Sequence, residues 1–86
     1  MSKQAPVEVK EAFFEIVENQ IREGAPLETR QTLVRLLGQG ITREEAIRLI
    51  ACAVAVEVYE VLKSKVAYNE SRFITNLGKL PTLPWD

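Results

Sequence analysis

The amino-acid sequence predicts an all-α, four-helix domain with a long central third helix and an extended C-terminal tail. Apolar residues recur at helical spacing in four segments, and glycine or proline lies near most of their ends. No segment shows the apolar–polar alternation that is typical of half-buried strands. The 86 residues suffice for one domain rather than two, so we expect a single domain over 1–86. A flexible N-terminus is expected at 1–6 and the tail at 79–86.

Glycines are predicted to end the first two helices. Helix 1 is predicted at Val7–Glu23, because Gly24 interrupts the apolar periodicity there. Helix 2 is predicted from near Pro26 to near Leu37, where Gly38 can adopt the left-handed conformation that terminates a helix. The expected buried faces consist of Val9, Phe13, Ile16, Val17 and Ile21 in helix 1, and of Leu27, Leu33, Val34 and Leu37 in helix 2.

Polar capping residues predict where helices 3 and 4 begin. Thr42 and Glu45 form a capping-box pattern, in which each side chain accepts a hydrogen bond from the other residue's amide. The apolar period then continues to about Val66. Asn69 is a good N-cap for a short helix 4 that Gly78 is expected to end. Two prolines in the following tail favour extended backbone.

The middle of helix 3, residues 49–56, is apolar on every face. A helix that is apolar all round is buried all round, and three short neighbours cover only part of such a helix. We therefore expect a homodimer that packs through helix 3. In the alternative, helices 1, 2 and 4 and the tail surround helix 3 in a monomer. The expected interface residues are Leu49, Ala53, Val54, Val56, Val58 and Val61.

Composition excludes several classes of function. The formal net charge of −1 gives no electrostatic reason to expect nucleic acid or a membrane surface as a partner. Eight consecutive apolar residues are too few for a bilayer span. The single cysteine and the lack of a signal-peptide core predict a cytoplasmic protein. The chain contains no histidine, so the commonest general base and zinc ligand are missing.

Carboxylates are the remaining metal ligands. Acidic side chains recur on one side of helix 1, and an ExxE pair lies on helix 3. Hard cations such as Mg²⁺ bind oxygen ligands, so a carboxylate-based metal-binding protein is one alternative function. The competing interpretation is a solvated acidic stripe offset by arginines. The weak metal-ligand candidates are Glu15, Glu18, Glu57 and Glu60.

Helix 2, the glycine turn and helix 3 also suggest a helix-turn-helix DNA-binding regulator. The helix that would enter the groove opens with Glu44 and Glu45, which would face phosphates with negative charge. Cys52 is expected to be a small core residue. Trp85 is expected to fold back on the core or on a partner chain.

Three short segments, FEIVENQ at 14–20, REEAIR at 43–48 and VEVYE at 56–60, resemble an uncharacterised family of small bacterial all-helical proteins. The resemblance spans about residues 10–80. Members of that family often carry histidines where this chain has Glu44 and Arg48, so a family metal site would lack its nitrogen ligands here. The resemblance implies roles for Glu18, Asn19 and Glu45, but it implies no known activity.

Taken together, these patterns predict a non-enzymatic homodimeric helical interaction or regulatory module. No cofactor is expected. A second protein is a possible partner in addition to the homodimer.

Overall fold

The computed structural model describes residues 7–85, and of Val7 and Glu8 only the backbone. The predicted flexible segment 1–6 lies outside the described residues. Within the described range the chain forms four helices and no strand, which confirms the all-α prediction. These helices are α1 (Val7–Glu23), α2 (Leu27–Gly38), α3 (Arg43–Ser64) and α4 (Glu70–Lys79).

Helix α3 is the centre of the fold, because it packs against each of the other three helices. Helix α2 also packs against both α1 and α4, whereas α1 and α4 do not pack against each other. The core therefore forms where α2 and α3 meet, and one side of α3 is left without a helical neighbour. The fully or almost fully buried apolar side chains are Val17, Leu36, Ala46, Ile50, Ala53, Phe73, Leu77 and Leu80.

Helix α2 turns a different face inward from the predicted one. Thr29, Thr32, Leu33 and Leu36 are buried, and the Thr29 hydroxyl donates a 2.8 Å hydrogen bond to the Gln20 side-chain oxygen of α1. The two threonines fit this face because their polar atoms find partners there. Three predicted core residues remain exposed instead, and we call them the outer row of α2: Leu27, Val34 and Leu37.

Two left-handed glycines end α1 and α2. Gly24 has φ +66° and ends α1 as predicted. At the end of α2 the left-handed residue is Gly40, with φ +87°, rather than Gly38, which stays helical. The amide of Ile41 donates to the Leu36 carbonyl at 3.1 Å, the bond expected for a glycine-terminated helix.

Two arginines of α2 hold the ends of neighbouring helices. The Arg30 guanidinium donates to the Ile21 carbonyl at 2.7 Å, near the end of α1. The Arg35 guanidinium donates to the carbonyls of Leu77 and Leu80, at 2.9 Å and 2.7 Å. The last carbonyls of a helix lack intrahelical donors, so these bonds tie α1 and α4 to α2.

The start of α3 confirms half of the predicted capping box. The Thr42 hydroxyl accepts from the Glu45 amide at 3.2 Å, whereas the Glu45 carboxylate pairs with Arg48 instead of reaching back. The helix ends at Ser64 rather than near Val66, because Lys65 adopts the left-handed conformation with φ +54°.

Helix α4 and the tail differ from the prediction at one point. Asn69 caps α4 as expected, since its side chain accepts from the Arg72 amide at 2.9 Å. The helix continues past Gly78 to Lys79. Leu80, the residue before Pro81, then has extended backbone, and turns follow it in the tail. The buried Leu80 side chain lies in the core, and the bonds from Arg35 hold the backbone there. Trp85 is 60% exposed.

Candidate interaction surface

The predicted metal ligands do not assemble into one site. Among the side chains that the structure describes, no three acidic, cysteine or histidine groups lie close enough to hold a metal ion. Glu15 is exposed on α1. Glu60 lies on α3, where it lines a depression together with Pro84 and Trp85. Glu18 and Glu57 are each bonded to an arginine. No three of the four candidates therefore lie close enough together to share a metal ion.

Glu57 is a buried anchor between α3 and α4. Its carboxylate accepts two bonds from the Arg72 guanidinium, at 2.8 Å and 2.7 Å, and one from the Asn69 amide at 2.9 Å. The hydrogen bonds from Arg72 hold the pKa of Glu57 below its usual value, and they outweigh the opposing effect of burial. Its three bonds give Glu57 a structural role, orienting the start of α4.

Glu18 ties α1 to the first turn of α3. Its carboxylate accepts from the Arg43 guanidinium at 2.8 Å and 2.9 Å, a two-bonded geometry that arginine favours. These bonds lower the pKa of Glu18. Both groups are about half exposed, so water weakens the pair relative to that of Glu57.

Residues of two sequence segments singled out above, 14–20 and 43–48, line one cleft between α1 and α3. We call this cleft of about 600 Å³ the N-terminal cleft. Glu18 and Glu45 lie on it, together with Glu44 and Arg48. Asn19 bonds to Arg22 on α1. The full lining of the N-terminal cleft is Phe14, Glu18, Arg43, Glu44, Glu45, Ile47 and Arg48.

Charges at the start of α3 are largely paired. Arg43 is bonded to Glu18, and Arg48 to Glu45. A recognition helix that enters a DNA groove uses such cations for phosphates or bases. Here both arginines are already held by carboxylates.

The six predicted interface residues divide into two groups. Leu49, Ala53 and Val54 are buried within the chain, at 5%, 0% and 6% exposure, so they belong to its own core. The reason is that the other three helices pack against α3 and cover these side chains. The other three are accessible: Val56 and Val61 are partly buried, and Val58 is 37% exposed.

The uncovered face of α3 carries a different set of residues, which we call the outer strip: Arg48, Cys52, Ala55, Tyr59 and Leu62. Successive members are four, three, four and three residues apart, the spacing that keeps one seam of a helix facing a partner helix. Tyr59 is 58% exposed and Leu62 is 73% exposed. This spacing is readable in the sequence, but so is that of the buried face, and none of the six predicted interface residues belongs to the outer strip.

Side chains from α1 and from the tail border the outer strip. Along its first half, Lys10, Phe13 and Phe14 line a depression of about 420 Å³ whose floor includes Cys52 and Ala55. Along its second half, Pro84 and Trp85 line a depression of about 400 Å³ over Ala55, Val56, Tyr59 and Glu60. The two depressions share Ala55, so the surface is a continuous shallow trough.

Cys52 lies in this trough rather than in the core. It is partly buried, and this burial raises the pKa of its thiol above the ordinary value, more than nearby Arg48 lowers it. A thiol with a raised pKa is mostly protonated at neutral pH and is a poor nucleophile. Cys52 therefore lacks the lowered pKa that activates a nucleophilic thiol.

No protein-family model, curated protein or solved structure matches this chain. Within residues 7–85, no helix has both the length and the apolar character that a membrane span requires.

Proposed function

We propose that this chain is a non-enzymatic homodimeric interaction module in which the outer strip of α3 packs against the same strip of a second copy. One observation carries the proposal. The longest helix of the fold exposes a seam with coiled-coil spacing that ends in two large, mostly exposed side chains, Tyr59 and Leu62.

The energetic reason is the exposure of apolar surface in one place. Tyr59, Leu62 and Trp85 are each more than half exposed. Covering one such side chain contributes about 1.5–3 kcal/mol, and a two-fold axis covers every residue of the strip twice. Four to six side chains across the axis therefore supply enough free energy to hold a dimer.

The floor of the trough favours another helix as its occupant. Cys52 and Ala55 have small side chains, which allow two helices to approach closely. The bordering aromatic residues, Phe13 on one side and Trp85 on the other, would then contact the sides of the incoming helix. Aromatic residues are enriched at interfaces between proteins.

The alternative functions have less support. Metal binding through Glu18 or Glu57 would have to break bonds to arginine that each carboxylate already makes. DNA binding would have to free Arg43 and Arg48 from Glu18 and Glu45. We include a cytoplasmic location in the proposal, because the single cysteine of the chain, Cys52, has a free thiol in the proposed interface.

Substitution at the strip tests the proposal against the other exposed apolar surface. We expect Leu62→Glu to raise the dimer Kd at least about 100-fold, since two copies of the buried side chain are lost and two charges are desolvated. Val34→Glu is the matched control, because Val34 is 65% exposed on the outer row of α2. Light scattering coupled to size-exclusion chromatography measures the mass of each variant.

The two variants give distinct results. Loss of the dimer in Leu62→Glu alone supports the outer strip. Loss of the dimer in Val34→Glu alone would transfer the interface to the outer row of α2 and overturn the proposal. Circular dichroism of both variants checks that the helices are retained.

A further inference from the structure

The two ends of the outer strip differ in shape and in charge. At the C-terminal end, Leu62 projects into solvent and is followed by Lys63 and Lys65, both exposed. At the N-terminal end lies the N-terminal cleft, whose apolar lining comes from Phe14 and Ile47. One end is thus a projecting apolar side chain flanked by cations, and the other is a recess.

The rim of the N-terminal cleft is acidic on balance. Three carboxylates, Glu18, Glu44 and Glu45, and two guanidinium groups line it. The guanidinium groups are paired with Glu18 and Glu45, which leaves the exposed Glu44 as the excess charge. A projecting leucine beside a lysine is complementary to such a recess in both polarity and charge.

We infer that the two α3 helices of the homodimer run antiparallel, and that Leu62 of each copy seats in the N-terminal cleft of the other. This inference rests on the proposed function, and it names the orientation and the residue contacts of that interface. The occupant of the cleft is a second copy of this chain.

The helical repeat gives the register. Suppose that the two-fold axis crosses α3 between Ala53 and Val54. Each residue of one copy then lies beside the residue of the other copy that is equally far from the axis in the sequence, on the opposite side. The same axis places four residues of one copy beside four of the other: Glu44 beside Lys63, Glu45 beside Leu62, Arg48 beside Tyr59, and Cys52 beside Ala55. In this one register the opposite charges meet, the projecting leucine lies at the cleft, and the small residues face each other.

Each of these contacts has a physical basis. Glu44 with Lys63 is an opposite-charge pair at the edge of an interface. Lys63 already lies along the strip, with its ammonium nitrogen 5.5 Å from the centre of the Tyr59 ring. Arg48 beside Tyr59 of the second copy brings a guanidinium to an aromatic ring. Cys52 beside Ala55 lets the helices approach near the axis.

A parallel arrangement lacks this complementarity. A two-fold axis parallel to α3 would bring each residue of the strip to its own equivalent, so Arg48 would face Arg48 and Lys63 would face Lys63. The two Leu62 side chains would meet each other, and the N-terminal cleft would remain uncovered. Parallel alignment would also place the helix dipoles side by side in the same direction.

Charge exchange between Glu44 and Lys63 tests the orientation. In the antiparallel dimer, Glu44→Lys and Lys63→Glu each create two like-charge contacts, and we expect each to raise the dimer Kd by about 10-fold. The double variant restores opposite charges at both contacts, so its Kd should return to within about threefold of the wild-type value. Sedimentation equilibrium at low ionic strength measures the dimer Kd of the two single variants and of the double variant.

Matched controls come from α4, which carries the same charges in the same helical positions. Glu70 lies in its first turn and Lys79 in its last turn. Glu70→Lys and Lys79→Glu change the net charge equally, and we expect both to leave the Kd within about twofold of the wild type. A comparable effect of the control substitutions would attribute the result to net charge and overturn the inference.

A distance measurement provides a second test that needs no charge reversal. In a Cys52→Ala background, a spin label at position 64 (S64C) reports the separation of the two helix ends by double electron–electron resonance. The antiparallel register places the two labels about 30 Å apart along the helix axis, whereas a parallel dimer brings them side by side.

The outcomes separate the two proposals. A chain that stays monomeric at every concentration overturns the proposed function. A dimer whose charge-exchanged double variant is no tighter than the single variants, with a short distance between labels, overturns the antiparallel inference and leaves the dimer standing. Rescue by the double variant together with the long distance supports both.

Discussion

The inner and outer faces of α3 are similar in sequence but opposite in their surroundings. On the inner face, Ala46, Ile50 and Ala53 are fully buried by α2 and the other helices. On the outer face, the strip from Cys52 to Leu62 is apolar too, yet it becomes more exposed toward the C-terminal end. The chain therefore covers the inner face of α3 with its own helices and leaves much of the outer face accessible.

The largest expected effect is the difference in free energy of unfolding between a variant of the inner face of α3 and a variant of the outer face. Ile50→Ala removes a fully buried side chain and should lower the free energy of unfolding by about 2–5 kcal/mol. Leu62→Ala should lower it by less than about 0.5 kcal/mol in dilute solution, where the chain is monomeric. Urea unfolding followed by circular dichroism measures both variants. Equal losses would show that the outer face is also covered within the monomer.

A smaller effect compares Glu18 and Glu57, the two carboxylates that link α3 to a neighbouring helix. Glu57→Gln should lower the free energy of unfolding by about 1–3 kcal/mol, because Glu57 is buried and accepts three hydrogen bonds. Glu18→Gln should cost about 0.2–1 kcal/mol, since its pair with Arg43 is half exposed. Thermal or urea unfolding at neutral pH tests this order, and a larger cost for Glu18→Gln would contradict it.

The same two carboxylates predict the sign of the pH dependence. The pKa values of Glu57 and Glu18 are lower in the folded chain than in the unfolded chain. The unfolded state therefore binds protons first as the pH falls, and the stability that these groups contribute is lost from about pH 5 downward. We expect the urea midpoint to fall over this range in the wild type, and to fall less in Glu57→Gln. An unchanged acid dependence in that variant would contradict the assignment.

The sequence predicted most of the fold, because helix periodicity and capping act locally. The bounds of α1 and the caps at Thr42 and Asn69 depend on neighbouring residues, and the structure confirms them. The position of the tail against the core could not be predicted for a non-local reason: Arg35 is more than forty residues from the carbonyl of Leu80 to which it donates. Such a contact leaves no local pattern in the sequence.

The candidate surface was predicted less well, and α2 shows the reason. Leu27, Val34 and Leu37 matched a buried stripe, yet the chain buries Thr29 and Thr32 instead, because Gln20 supplies a partner for the Thr29 hydroxyl. The interior of α3 gave the same ambiguity, since every face there is apolar. Three of the predicted interface residues, Leu49, Ala53 and Val54, are therefore core residues in the structure. The exposed seam through Cys52 and Tyr59 was not among the predicted interface residues.

Sedimentation equilibrium of the wild-type chain, from micromolar to millimolar concentration, tests the central claim most directly. We expect a reversible rise in mass from 9.7 kDa toward twice that value, with and without a chelator. A mass of 9.7 kDa at every concentration would contradict the claim that the outer strip of α3 binds a second copy.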